Sequence, residues 1–114
     1  MRRRLLSCAI ALGLLTAPAL VRAAEPSVAD ADALFEEANA LVAAGRYAEA
    51  CPKLAESQRI EPAVGTQFNL ADCYEHLGRT ATAYALFTDV ARIARAAGKF
   101  ERERIAKERA AVLE

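Results

Sequence analysis

The chain has 114 residues, which is enough for one small domain. It contains 15 Lys and Arg and 15 Asp and Glu, so its formal net charge is zero. All the acidic residues lie after residue 23, whereas four arginines lie before it, so residues 24–114 carry a net charge of −4. A mildly acidic chain with interspersed charges has no electrostatic footprint for nucleic acid, and we exclude nucleic-acid binding on this ground.

The first 23 residues predict a signal peptide for export. Arginines at positions 2–4 form a positive segment, and an uncharged apolar run from Leu5 to Ala17 follows it. The tripeptide Val21-Arg22-Ala23 then supplies small residues at the two positions that define a cleavage site. An uncleaved membrane anchor is the alternative, but the apolar run is shorter than the roughly 20 residues that a spanning helix needs. We therefore expect a periplasmic or secreted protein whose only contact with the membrane is through this segment during export.

A short linker, residues 24–29, precedes the first predicted helix. Ser27 and Asp30 are both candidate N-caps for that helix. Apolar residues recur at helical spacing from Asp30 to Ala44, and Gly45 ends the helix. The same spacing predicts a second helix from Tyr47 to Ile60.

Two prolines bear on this second helix. Pro62 lies just past its end, where it stops the helix from continuing. Pro52 lies inside it, little more than one turn from the start, so its missing N–H removes only an early hydrogen bond. We expect the helix to continue through Pro52 with a modest kink.

The two predicted helices belong to an internal repeat. When the sequence is shifted by 33 residues, eight positions in the window 31–62 are identical. The identical pairs are Phe35/Phe68, Ala38/Ala71, Gly45/Gly78, Arg46/Arg79, Ala48/Ala81, Ala50/Ala83, Arg59/Arg92 and Ile60/Ile93. Repetition at this period is typical of stacked helical hairpins.

This pattern resembles the tetratricopeptide repeat (TPR) family, whose unit is a helix-turn-helix of about 34 residues. The first unit matches the family pattern at Ala38, Leu41, Gly45, Tyr47, Ala50, Leu54, Ser57 and Pro62. The second unit matches it at Ala71, Tyr74, Gly78, Ala83 and Phe87. It departs from the pattern where Thr80 replaces an aromatic residue and Val90 a small one. The stretch from Cys51 to Arg79 is also similar to exported bacterial repeat proteins of unassigned role.

The resemblance implies an all-α fold in which antiparallel helical hairpins stack as a short TPR-like solenoid. Two repeats, residues 31–62 and 64–97, make up the segment 30–98, and residues 99–114 form a charged C-terminal capping helix. Alanines at positions 38, 50, 71 and 83 let paired helices approach closely. The glycines at positions 45 and 78 permit the backbone conformation that ends one helix and reverses the chain.

The C-terminal helix has two interpretations. Glu103 and Lys107 are spaced for a helix-stabilising ion pair, and Ile105, Val112 and Leu113 form a narrow apolar seam. We expect a polar cap that covers the last repeat, and the alternative is a seam for oligomerisation or partner binding. Arrays of this kind usually need about three units for stability. A disulfide, a homodimer or a continuation of the chain would supply the missing stability.

The resemblance also places Cys51 and Cys73 on adjacent helices, within the ~7 Å between Cα atoms that a disulfide requires. Cys8 leaves with the signal peptide, so these two form an even pair in an oxidising compartment. We expect a disulfide. The alternative is two buried thiols that fill space between helices.

The sequence offers no pattern for catalysis, and we expect no enzyme activity, no metal and no cofactor. His76 is the only histidine, and Cys73 is its only soft neighbour, which is too few ligands for a metal. There is no glycine-rich phosphate loop and no nucleophile elbow.

The family's geometry implies a binding face on the first helix of each unit. Its candidate residues here are Phe35, Asn39, Val42, Phe68, Asp72, Glu75 and His76. Two phenylalanines with an acidic rim suit an apolar or basic peptide. The alternative is that both phenylalanines belong to the core.

The function that we expect is therefore that of an exported, non-enzymatic TPR-like module that mediates protein–protein contact or scaffolding in the cell envelope. Its partner is a protein or peptide whose identity the sequence does not give. The alternative is the N-terminal spacer part of a longer envelope protein whose functional domain lies outside these residues.

Overall fold

The computed structural model of the protein describes residues 13–20 and 24–114. The positive segment, much of the apolar run and the cleavage site of the predicted signal peptide lie outside the described residues. The described residues contain five α-helices and no strand: α1 Val28–Ala43, α2 Tyr47–Ile60, α3 Val64–His76, α4 Thr80–Ala96 and α5 Phe100–Val112. No helix in these two ranges combines the length and hydropathy that a membrane span requires.

The helices form a short solenoid of antiparallel hairpins. Each helix packs on the next one in the chain, and every connection between consecutive helices is three residues long. Such short connections force neighbouring helices to run in opposite directions. The predicted all-α fold of stacked hairpins is therefore confirmed.

Three of the four connections have the same conformation. Gly45, Gly78 and Gly98 adopt φ values of 74°, 74° and 71°, in the left-handed region where glycine carries no steric cost. In each connection the residue after the glycine donates its N–H back into the preceding helix, as in Arg46 N to Leu41 O at 2.8 Å. This bond is the signature of a Schellman motif. The corners at Gly45 and Gly78 agree with the sequence-based prediction, and the third, at Gly98, ends α4 in the same way.

Helix α1 begins at Val28, two residues before the predicted start. Ser27 is the N-cap, and the backbone N–H of Asp30 donates to its Oγ at 3.3 Å. The backbone N–H of Ser27 in turn donates to Asp30 Oδ2 at 2.7 Å, which completes a capping box. This backbone hydrogen bond lowers the pKa of Asp30 below its ordinary value. Of the two candidate caps, Ser27 therefore fixes the start of the helix.

Alanines with no exposed surface lie where the helices meet. Each of the five helices has at least one such alanine with 0% exposure: Ala38, Ala50, Ala71, Ala83 and Ala106, in the order α1 to α5. Larger side chains fill the spaces beside them, with Leu54, Val90 and Phe87 fully buried. Small residues at the crossing points let the helix axes approach, and the bulky residues interdigitate around them.

Helix α5 is packed more deeply than a purely polar cap. Its buried residues are Glu103, Ala106 and Ala110, and the two alanines join the hydrophobic clusters of α3 and α4. Of the predicted apolar seam, Ile105 and Leu113 are half-buried, whereas Val112 is 80% exposed. Packing by small alanines therefore determines which side of α5 faces the core. The predicted pair of Glu103 and Lys107 is confirmed, with 2.6 Å between Oε1 and Nζ.

Cys51 of α2 and Cys73 of α3 form a disulfide, with their Cα atoms 5.7 Å apart. Both side chains are buried in the hydrophobic cluster that α1, α2 and α3 share. The connection between α2 and α3 is the one that lacks a glycine corner. The disulfide thus joins the two hairpins at the place where the backbone motif is absent.

We predict that replacing Cys51 and Cys73 together by alanine lowers the free energy of unfolding. The bridge closes a loop with a sequence separation of 22 residues. A loop of this length implies a loss of about 3 kcal/mol. Urea unfolding followed by circular dichroism measures the change, and adding reductant to the wild-type protein should reproduce it. Equal stability of oxidised and reduced wild-type protein would contradict the prediction.

Candidate functional site

An arginine from α5 lies between two carboxylates of α3. Arg109 Nη2 donates to Asp72 Oδ1 and to Glu75 Oε2, each at 2.6 Å. The three side chains retain only about a third of their exposure, at 32% for Arg109 and 28% for each acid. Asp72 and Glu75 lie one turn apart on α3, so a single guanidinium reaches both.

The guanidinium of Arg109 also lies on aromatic rings. Its central carbon is 4.7 Å from the ring centre of Phe87 and 5.8 Å from that of Phe68. The two rings meet edge to face with their centres 5.4 Å apart. Burial acts to lower the pKa of Arg109, but the hydrogen bonds that its guanidinium donates to the two carboxylates outweigh this effect, and the net shift is upward. Arg109 therefore links α5 to α3 through ion pairs and also contacts two aromatic rings.

The ion pairs of Arg109 change the charge of the expected acidic rim. Asp72 and Glu75 lie together as predicted, but Arg109 pairs with both of them and offsets one of their two negative charges. The acidic rim is therefore weaker than the sequence of α3 predicts. Sequence reasoning missed the partner because it lies 37 and 34 residues away and depends on how α5 is rotated about its axis.

His76, the fourth predicted site residue of α3, packs against α2. Its ring stacks on Tyr47 with the ring centres 4.2 Å apart and an interplanar angle of 11°. Its Nδ1 lies 2.8 Å from the backbone oxygen of Asp72. A carbonyl oxygen can only accept a hydrogen bond, so this contact requires the proton on Nδ1. His76 is therefore held by neighbours on both sides of the α2–α3 contact.

The three candidates on α1 do not form one uniform surface. Phe35 and Val42 are half-buried and pack on the hydrophobic cluster around Ala38 and Leu54. Asn39 is exposed. Phe68 of α3 is also half-buried, and it contacts the two clusters formed with α4 and α5. Phe35 and Phe68 are thus both partly buried in the core, which agrees in part with the alternative that they are core residues.

A groove between α3 and α5 was not predicted. Its volume is about 730 Å³, and its lining consists of Phe68, Gly98, Lys99, Phe100, Glu101, Arg102 and Ile105. We call it the α3–α5 groove. Phe100 is 69% exposed and adds an accessible aromatic ring to this lining. A sequence signal was present, because Ala97-Gly98-Lys99-Phe100 repeats the pattern of Ala44-Gly45-Arg46-Tyr47.

A second, smaller groove of about 370 Å³ runs between α4 and α5. The basic side chains along it already have acidic partners within the protein. Arg95 and Lys107 both pair with Glu103, at 3.5 Å and 2.6 Å, and Arg92 pairs with Asp89 at 2.5 Å. This groove therefore offers little uncompensated charge to a ligand.

In the described part of the chain, no three His, Cys, Asp or Glu side chains lie close enough to hold a metal ion. Comparison with known proteins adds no assignment: no family model matches the sequence, and no curated protein or solved structure matches it either. The site must therefore be interpreted from its own geometry.

We predict that Arg109→Met destabilises the protein by about 2 kcal/mol. Removing one partner of a buried ion pair costs about 3–5 kcal/mol, and partial contact with water reduces this loss here because water screens the charges. The loss arises from two neighbouring carboxylates left without a cation, so adding Asp72→Asn and Glu75→Gln should recover much of it. Urea unfolding of the single and triple variants at neutral pH measures both effects.

Arg104→Met is the matched control for this prediction. Arg104 lies on the same helix and also binds two acids, Glu101 and Glu108, but all three side chains are well exposed. Its replacement should cost much less than that of Arg109, because water screens exposed pairs. Similar losses for the two arginines would show that Arg109 has no special role between α3 and α5.

Proposed function

We propose that this protein is an exported, non-enzymatic TPR-like module that binds a protein or peptide partner in the periplasm or outside the cell. The observation that carries the proposal is the α3–α5 groove with its exposed phenylalanine. A contiguous apolar surface beside an exposed aromatic ring is a common feature of sites for protein partners.

The geometry of the corners supports the TPR-like interpretation. Gly45 and Gly78 lie 33 residues apart and have the same φ of 74°. Ala38 and Ala71, at the same spacing, are both fully buried. These features agree with a helical repeat in which small residues set the distance between helices. The third corner at Gly98 adds α5 to the array as a further packed helix.

Export is supported by the disulfide and by the N-terminal sequence. A buried bridge between Cys51 and Cys73 is typical of proteins that fold in an oxidising compartment. The positive segment and apolar run before residue 23 fit a signal peptide. The two observations are independent, because the disulfide depends on how α2 and α3 pack and the signal peptide depends only on the N-terminal sequence.

The contacts of the polar groups support a non-enzymatic role. The acids of α3 bind Arg109, and the ring of His76 stacks on Tyr47. A general acid or base must reach a substrate proton, and groups held in structural contacts are poorly placed to do so. The groove offers apolar and cationic surface for binding instead.

The test is affinity capture with photo-crosslinking from envelope and extracellular fractions of the source organism. The bait is the purified disulfide-bonded protein, and the variants are Phe100→Ser and Val112→Ser. Val112 is the matched control because it is exposed, apolar and on the same helix but does not line the groove. We expect a partner that wild type and Val112→Ser retain and Phe100→Ser loses. Equal capture by all three proteins would contradict a role for the groove.

A further inference from the structure

Most cations of the described chain have partners inside the protein. Among residues 24–114, eight of the 11 lysines and arginines form ion pairs with Asp or Glu within 4.0 Å. The described residues provide no such acid for Arg79, Lys99 and Arg102. Arg79 lies over the ring of Tyr74 at 4.6 Å and so has an aromatic partner. Lys99 and Arg102 are therefore the two cations for which the described residues provide neither an acidic nor an aromatic partner.

Both of these cations line the α3–α5 groove. Lys99 is the exposed N-cap of α5, and its side chain makes no capping hydrogen bond. Arg102 is half-buried against α3, where a Cβ built on Gly65 would lie 3.4 Å from its Nη1. The guanidinium of Arg102 therefore lies beside Gly65 in the first turn of α3.

The one acid that lines the groove is already engaged. Glu101 accepts two hydrogen bonds from Arg104, at 2.5 Å and 3.1 Å, and these bonds lower its pKa below the ordinary value. Arg104 also pairs with Glu108, so it offsets part of the charge of Glu101, and the groove lining still has two cations for this one acid. The groove is consequently a locally positive site in a protein segment whose net charge is −4.

The floor between the two cations is apolar. Phe68, Phe100 and Ile105 contribute side chains to it, and a volume of about 730 Å³ is large enough for two or three bulky side chains. Arg109 is near Phe68 but does not line the groove and is paired with its own acids, so it does not add free charge here. An apolar floor with free cations at its rim complements a ligand with the opposite arrangement.

We propose that the α3–α5 groove binds an acidic peptide segment in which bulky apolar side chains are flanked by Asp or Glu. The apolar side chains contact Phe68, Phe100 and Ile105, and the flanking carboxylates pair with Lys99 and Arg102. This inference rests on the proposed function and names the chemistry of the partner. It reverses the charge preference that the sequence of α3 predicts.

The test is a titration of the purified disulfide-bonded protein with three fluorescent peptides, blocked at both ends so that only side chains carry charge. The first has Leu and Phe flanked by glutamates, the second replaces each Glu by Lys, and the third keeps the glutamates but replaces Leu and Phe by Ser. We expect the first to bind at least about tenfold more tightly than the others, with affinity falling as salt is added.

The variant Lys99→Gln/Arg102→Gln tests the rim. It should weaken binding of the acidic apolar peptide by about tenfold, which is the combined effect expected from two partly exposed ion pairs. Arg79→Gln is the matched control, because Arg79 follows a glycine corner as Lys99 does but lies outside the groove. It should leave the affinity unchanged. Circular dichroism checks that each variant keeps the wild-type fold.

Three outcomes would overturn the inference: equal affinity for the acidic and basic peptides, no effect of the double variant, or no binding of any peptide to the folded protein. A concentration-dependent mass in light scattering that Phe100→Ser abolishes would also overturn it, because a second copy would then occupy the groove. If a captured partner depends on Phe100 but not on Lys99 and Arg102, the proposed function stands and the acidic-peptide inference fails.

Discussion

The structure depends on alanine side chains that are completely buried where helices cross. Ala38, Ala71 and Ala106 occupy such positions on α1, α3 and α5, and Ala50 and Ala83 do so on α2 and α4. A methyl group at a crossing lets two helix axes come together, and any larger side chain must push them apart. The stacking of the hairpins, and with it the position of every site residue, follows from this spacing.

Two different links connect helix α3 to other helices that lie close to it. The disulfide joins α2 to α3 within an apolar cluster, and Arg109 joins α5 to α3 through charge and aromatic contact. Helix α3 is common to both, so it is the element on which the first hairpin and the C-terminal helix converge. The α3–α5 groove lies beside the link that Arg109 makes. A ligand bound there would contact the two helices that Arg109 holds together, so binding and local stability should be coupled.

The sequence was sufficient for features set by short stretches of chain. A 33-residue shift aligned Gly45 with Gly78, and each glycine governs only its own corner. The pairing of Arg109 with Asp72 could not be predicted in this way, because it depends on the rotation of α5 against α3. The same rotation leaves Val112 exposed. Of the candidate site, the clustering on α3 was predictable, but its charge balance and the groove were not.

The most direct test of the account compares two leucine substitutions on α4. Ala83 is fully buried at a helix crossing, and Ala85 is exposed on the same helix. Leucine and alanine have similar helix propensities, so a difference between the variants reports packing. Urea unfolding should show that Ala83→Leu loses about 1–3 kcal/mol while Ala85→Leu changes by less than about 0.5 kcal/mol. Equal stability of the two variants would contradict the claim that buried alanines set the spacing of the helices.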